Sequence, residues 1–473
     1  MKYNSHLICA FALAGLACSL QCSVLPAQES SSSSISPNQN QLANRGPYEL
    51  SFADFDWQLN DARPVFKSST AIGERLPTQK AIDLFLSRVG RDPYDYASRA
   101  ILGELFLRQA TEDDYLPAYQ LAMDSLGESM RIKSNYKPAI LGMARTLMAQ
   151  HQFADALALV VKSISPEAQS PADLALIVDC HLDMGDLVSA NSTLKRLALL
   201  EDSPPVVARL ARLAELNNDR NRAIELMESA LRVIQLGSAD QTEWIWYQWR
   251  LAGLVFDSGD LEHAEQLVQK IIEENPNDER SSILFAKISF AKGHSEKARE
   301  VLQKVVHQHP SPPSLALIGD VFYFQGETEK AREFWDQAER LIREEAMVAK
   351  AAHAREAASF FADHDRHLEE ALELILIDRK QRQDLQTCDS HAWILFKNKR
   401  LTEAKAISTE ALEHGANDLM CLYHATKIHQ SIGEDEIAKK HLQRIIDVNP
   451  RFSILHTADV AKLQEEWNLL PRR

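Results

Sequence analysis

The sequence predicts an all-α solenoid of stacked helix pairs. Three observations predict it: an alanine that recurs at a near-constant interval, a glycine a fixed distance before it, and apolar residues at helical spacing on either side of that glycine. The alanines are Ala122, Ala156, Ala190, Ala223, Ala264, Ala298, Ala331, Ala371, Ala404 and Ala438, separated by 34, 34, 33, 41, 34, 33, 40, 33 and 34 residues. Glycine stands five positions before five of them, at Gly185, Gly259, Gly293, Gly326 and Gly433. Self-similarity at such a period marks units that bury their apolar faces only against their neighbours.

In chain order, residues 1–27 read as an export leader. Lys2 precedes an apolar centre at 7–20, short for a membrane span and of signal-peptide length, and Leu25-Pro26-Ala27 ends in a small residue suited to cleavage. Cys18 after Leu16-Ala17 partly matches a lipid-attachment site, although Gly15 stands where its leucine belongs. Residues 28–47 are rich in Ser, Asn and Gln, cannot bury a core, and read as a flexible linker. Residues 48–77 carry Phe52, Phe55, Trp57 and Phe66 without a repeat, an N-terminal extension suited to covering the open end of the first unit.

Residues 78–450 form the array, about ten units, and 451–473 a capping helix. Each unit reads as two amphipathic helices. Leu174, Ile177, Val178, Cys180 and Leu182 give the apolar stripe of a first helix, and Leu261, Ala264, Leu267, Val268 and Ile271 that of a second. Glycine enters the turn between them with positive φ. A small residue twelve positions before the anchor (Ala144, Ala211, Ala252, Ala286, Gly319, Ser359, Ala392) allows close helix approach, with Val178 as a departure. Four positions after the anchor the residue is apolar in every unit but one, where Ser408 stands. Proline at Pro93, Pro276, Pro310 and Pro450, twelve positions past an anchor, ends the second helix; Ala81 with Pro93 adds a half-unit in front.

This pattern resembles the tetratricopeptide repeat, and the resemblance covers 78–450. It implies a right-handed superhelical solenoid of tetratricopeptide-type helix pairs whose first helices line a concave groove for protein or peptide ligands. The three long spacings (Ala81 to Ala122, Ala223 to Ala264 and Ala331 to Ala371) equal the ordinary one plus seven residues, nearly two helical turns, so the same face stays inward; the third extension, 339–354, reads as lengthened helix. The C-terminal run DSHAWILFKNKRLTEAKAISTEAL followed by YHATKI is similar to that of a group of bacterial repeat proteins.

The chain has 52 Lys and Arg against 67 Asp and Glu, a net charge of −15. An acidic surface disfavours nonspecific binding to nucleic acid or anionic lipid, which needs positive charge. Phosphate loops, dinucleotide fingerprints, HExxH helices, nucleophile elbows and CxxC pairs are absent from the sequence. The expectation is therefore no catalysis, no cofactor and no bound metal. The histidine-rich C-terminal part, including His364-Asp365-Arg366-His367, offers the competing metal-binding reading, but this segment falls at a turn and reads as solvated. Outside the leader only Cys180, Cys388 and Cys421 remain, and they read as buried free thiols.

The inward positions eleven and eight before each anchor carry charges early, such as Arg145, Asp179, Arg212 and Glu215. Later they carry rings among the charges. The expected partner-binding residues of the groove are Trp249, Phe256, Phe290, Tyr323, Phe360, Trp393, Tyr423, His424 and Lys427. Phe360, Trp393, Tyr423, His424 and Lys427 should form a strip of rings with a cation at one end. The Lys, Asn and Arg set of the carboxylate-clamp members is missing, which argues against chaperone tails as ligands. The resulting expectation is an exported scaffold, periplasmic or secreted, that binds a protein or peptide. An envelope-anchored assembly factor is the alternative if the leader is retained or Cys18 lipidated.

Overall fold

The structure, a computed structural model, describes residues 78–112, 115–237, 241–349, 354–415 and 417–472. The expected leader, linker and N-terminal extension lie outside the described residues. A first helix α1 (Thr78–Arg91) precedes ten helix pairs. The early pairs are α2 (Tyr96–Glu112) with α3 (Ala118–Ile132), α4 (Lys137–Ala149) with α5 (Phe153–Ser163), α6 (Pro171–Met184) with α7 (Leu187–Leu200), and α8 (Pro204–Leu216) with α9 (Arg220–Leu236). The middle pairs are α10 (Gln241–Asp257) with α11 (Leu261–Glu274), α12 (Glu279–Ala291) with α13 (Ser295–Gln308), and α14 (Pro312–Phe324) with α15 (Thr328–Ala349). The last pairs are α16 (Ala354–Asp363) with α17 (Leu368–Asp378), α18 (Leu385–Lys397) with α19 (Leu401–Gly415), and α20 (Leu419–Ser431) with α21 (Asp435–Val448), capped by α22 (Thr457–Glu466).

All ten anchor alanines lie in second helices at 0 % exposure. The column four residues on is equally buried, including Ser408, the one polar member. Val178, the residue out of pattern at the crossing, is also fully buried. The four prolines act as expected: α1, α11, α13 and α21 each stop two residues before one, since the residue preceding a proline is itself driven out of helical geometry. Prolines also open first helices, at Pro138, Pro171, Pro204 and Pro312, where the missing N–H has no helical partner to lose.

The five register glycines have φ between +80° and +92°. At three of the five positions without glycine, His151, Asn218 and Lys399 take the left-handed conformation at φ of 58–64°, five residues before their anchors. Aspartate then caps the next helix: Asp186, Asp219 and Asp260 each accept a hydrogen bond from the backbone N–H three residues on. In the third extension helix α15 lengthens as expected, through Ala349, and the last stretch of that expectation, 350–353, lies outside the described residues.

First helices of neighbouring units touch each other directly (α2 with α4, α6 with α8, α10 with α12, α16 with α18, α18 with α20) more extensively than second helices do, so the stack curves with first helices inside. The curvature brings distant units together along a seam. The Gln383 N–H donates to the Met184 carbonyl at 3.0 Å, and Arg382 reaches His151 Nδ1 at 3.3 Å with its guanidinium 5.6 Å from the Phe153 ring centre. Asn417 donates its backbone N–H to Asn218 Oδ1 at 3.2 Å and its side-chain amide to the Asn218 carbonyl at 3.4 Å, and Arg220 donates to the Asn417 carbonyl at 3.2 Å. Arg451 donates to the Phe290 carbonyl at 3.1 Å and covers the Phe290 ring. Turns inside early units thus rest on loops between late units.

Replacing Ala298 with Trp overpacks a crossing and should cost about 1–3 kcal/mol, read from denaturant unfolding; an unchanged midpoint would mean the anchor is not at a crossing. The seam has its own test. A Cβ at Gly259 would stand 2.5 Å from the Val448 carbonyl oxygen, whereas one at Gly433, with similar φ, meets nothing within 4 Å. Gly259→Ala should therefore lose more stability than Gly433→Ala, and equal losses would rule the seam out.

Candidate functional site

Polar contacts join first helix to first helix along the inner face. Arg145 pairs with Glu104, Arg209 holds Asp179 through two hydrogen bonds of 2.8 and 2.6 Å, and Arg250 pairs with Glu215, which also accepts from Arg212 at 2.8 Å. Toward the C-terminus the partners become aromatic and imidazole: His364 Nε2 meets Asp320 Oδ1 at 3.0 Å, the Trp393 indole N–H donates to Asp363 Oδ1 at 2.9 Å, and His424 Nδ1 meets Asp389 Oδ2 at 2.9 Å. The inward charges read from the sequence at Arg145, Asp179, Arg212 and Glu215 are all members of this ladder.

A cleft opens on the same face between α6, α8 and α10, lined by Asp179, Asp183, Arg209, Arg212, Trp246 and Arg250. Burial works against ionisation of Glu215 beside it, but Arg250 and Arg212 outweigh burial and hold the carboxyl at about 2. Asp183 is in the opposite state. Burial dominates, nearby Asp179 adds repulsion, and Arg212 compensates only in part, so its carboxyl is pushed up to about 7. Farther along, burial pushes Asp257 up to about 6 and lowers the Lys287 ammonium from its ordinary value. Among the described residues Asp183 makes no hydrogen bond or ion pair, and the buried indole N–H of Trp246 has no acceptor. A buried polar group without a partner costs about 1–3 kcal/mol. The indole N–H of Trp246 is such a group, and the unpaired, half-buried Asp183 carboxyl lines the same cleft, which makes it a place where a ligand's polar atoms would be favoured.

The expected ring strip is in large part interior packing. Phe256, Phe290, Phe360, Trp393, Tyr423 and His424 are buried, Trp249 is half-buried with Arg280 at 5.3 Å over its ring, and Tyr323 alone of the set is exposed. Trp393, Tyr423 and His424 do come together, with Trp393 stacked on His424 at a centroid distance of 4.2 Å and 6.0 Å from Tyr423. Lys427 is not free at the end of a strip: it pairs with Asp459 at 2.9 Å, which also accepts the Tyr423 hydroxyl at 3.0 Å. The physical reason is the cap. Helix α22 and the residues before it cover the last first-helix, so positions that would face an open groove face a neighbour instead.

The His364–His367 segment is likewise corrected. It is a turn, with Asp365 and His367 at positive φ, but the His364 side chain is buried between Phe360 and Trp335 at 4.5 and 4.6 Å. Burial alone would lower its pKa; the bond to Asp320 and the nearby Asp363 raise it instead. His367 turns the other way, to Glu339 at 2.8 Å, so the two imidazoles do not share a site. Cys180, Cys388 and Cys421 are buried free thiols.

Sequence reasoning missed Asp183, Arg209, Trp246, Arg250 and His456. The first four lie one or a few residues from the inward positions that the register marks. His456 lies beyond the last repeat, where no register exists.

Curved stacking of helix pairs with an inward polar face defines a helical-repeat scaffold for protein ligands. Residues 255–321 match the family model described as tetratricopeptide repeat, and helix pairs of the same order run on both sides of that segment. Similar solved structures include human IFIT1 in its dimer with PPP-AAAA (12 % identity, TM-score 0.41, covering 78 % of this chain and 93 % of that one). A tetratricopeptide repeat protein from Parabacteroides merdae is 14 % identical with a TM-score of 0.38, covering 57 % of this chain and 99 % of that one. Yeast Tom70 is 12 % identical with a TM-score of 0.32, covering 83 % of this chain and 92 % of that one. No curated protein sequence matches the chain.

Asp183 gives the site a pH signature. Its folded pKa lies above the ordinary 3.8, so the folded state keeps a proton that the unfolded state has lost, and stability falls as pH rises from about 4 to about 7. The melting temperature of Asp183→Asn minus that of the unaltered protein should climb across this window and level off above it. A pH-independent difference would show that Asp183 ionises normally in the fold.

Proposed function

We propose that the protein is an exported scaffold, without catalysis of its own, that binds an extended segment of another protein on its inner face, with the cleft between α6, α8 and α10 as the anchoring point. The observation that carries this reading is the pairing of an unpartnered donor, Trp246 Nε1, with an unpartnered carboxyl, Asp183, in one cleft. A polypeptide backbone supplies what both need: a carbonyl to accept from the indole and an N–H or a cationic side chain to meet the carboxyl. The surrounding arginines and acids are already paired with each other, so they shape the cleft and keep it polar rather than dominate binding. The net charge of −15 favours a partner with basic segments over nucleic acid or anionic lipid.

Export rests on the sequence of residues 1–27. No helix among the described residues is long and apolar enough to cross a membrane.

Photo-crosslinking from a probe at Ala208, on the cleft wall, should label a polypeptide from the native envelope or secreted fraction. Trp246→Phe, which keeps the ring and removes the N–H, and Asp183→Asn should each weaken capture of that polypeptide at least tenfold with little change in melting temperature. Undiminished capture by both variants would move the working surface away from this cleft.

A further inference from the structure

At the C-terminal end of the inner face Asp363, His424 and His456 converge, their potential ligand atoms all within 4.8 Å of one another. The three come from different elements: Asp363 from the end of α16, His424 from α20, and His456 from the turn that opens α22. Both imidazoles are buried, and each has an Nε2 atom with no hydrogen-bond partner among the described residues. His456 Nε2 stands 3.9 Å from Asp363 Oδ1, too far for a hydrogen bond. Ligands about 2.0–2.1 Å from a tetrahedral ion stand about 3.4 Å apart, so one shared ion needs this gap to close by roughly half an ångström and the other two by at most about 1.4 Å.

The surroundings hold these groups in orientation. Asp389 takes the Nδ1 side of His424 at 2.9 Å, the carboxylate–histidine arrangement that fixes an imidazole's tautomer and leaves Nε2 as the lone-pair side. Trp393 lies flat on His424, with 13° between ring planes, and donates its N–H to Asp363 Oδ1, leaving Oδ2. Tyr423 lies flat on His456 at 4.4 Å, with 22° between planes. The neighbouring cations are engaged elsewhere, Lys397 with Asp365 and Lys427 with Asp459. Two oriented imidazoles and one carboxylate make a donor set suited to zinc and its first-row neighbours rather than to calcium or magnesium. A second convergence, Cys388 with Glu410 and His414, carries less, because Arg379 already holds both Glu410 oxygens at 3.0 Å.

We propose that Asp363, His424 and His456 bind one divalent transition-metal ion of the zinc class, with a further coordination position on the side of Asp363, whose side chain is 27 % exposed. The ion ties the cap to the eighth and tenth units across the ninth. It also gives the inner face a Lewis-acidic point at which a histidine or carboxylate of a bound protein completes the coordination. This inference does not depend on the cleft proposed above, because it uses none of its residues.

The test uses full-length protein stripped with a chelator and exchanged into metal-free buffer. Zinc titration by calorimetry should give one ion per chain, cobalt should develop visible ligand-field bands, and the melting temperature should rise with zinc concentration. His424→Gln and His456→Gln should each weaken zinc at least a hundredfold and abolish the cobalt bands. Asp389→Asn, which removes only the orienting carboxylate, should weaken binding about 10–100-fold. The exposed His307→Gln should leave binding unchanged. Asp363→Asn keeps the size of the side chain, so its loss of cobalt bands with unchanged circular dichroism separates a lost ligand from a lost fold. No uptake of zinc, cobalt or nickel by the unaltered protein at millimolar concentration, or equal uptake by the ligand variants, would overturn the assignment.

Discussion

The structure depends on one repeated contact: the methyl group of an alanine pressed into the crossing of two helices. Ten such alanines are without solvent exposure, and the residue one turn beyond is buried with them. A methyl at the crossing lets the two axes approach closely, so the larger side chains beside it interlock rather than prop the helices apart. Because each pair then presents nearly the same surface to the next, the rotation between units repeats and the stack curves. The ladder of polar contacts on the inner face follows from this repetition, since successive first helices bring equivalent positions side by side.

Curvature alone would leave an open spiral. The seam between early turns and late loops joins residues some 160–230 positions apart in sequence, through Gln383 on Met184, Arg382 on His151, Asn417 on Asn218 and Arg451 on Phe290. Glycine has two reasons to stand at Gly185 and Gly259: the left-handed backbone of a tight turn, and the near approach of backbone at 383–384 and 448. At Gly293, Gly326 and Gly433 only the first applies, because a Cβ there meets nothing within 4 Å. The array therefore departs from a chain of nearest-neighbour contacts, and late units help to hold early ones in place.

Burial divides the inner face electrostatically. Where a carboxylate has a guanidinium on each side, as Glu215 does between Arg212 and Arg250, it is held ionised. Where burial is not matched by a partner, as at Asp183 and Asp257, the carboxyl is pushed above its ordinary range. Paired groups fix how one unit sits on the next. Unpaired ones are costs of folding that a ligand can offset, and this is why the cleft at Trp246 and the convergence of His424 with His456 stand out among many polar contacts.

The repeat was legible because it is local: apolar spacing, a turn glycine and a terminating proline all act within about 34 residues, and the anchors, turns and helix ends lie where that spacing puts them. The inward charges at Asp179, Arg212 and Glu215 were legible for the same reason, since the register fixes which face they occupy. What the register could not reveal is whether an inward position stays open. Trp393, Tyr423 and His424 have the same repeat coordinates as groove residues, yet they are buried because the cap helix and its preceding turn lie over them. That decision, like the seam and the meeting of Asp363 with His456 from 93 residues away, belongs to the summed rotation of many units, a property of the whole stack and of no single repeat.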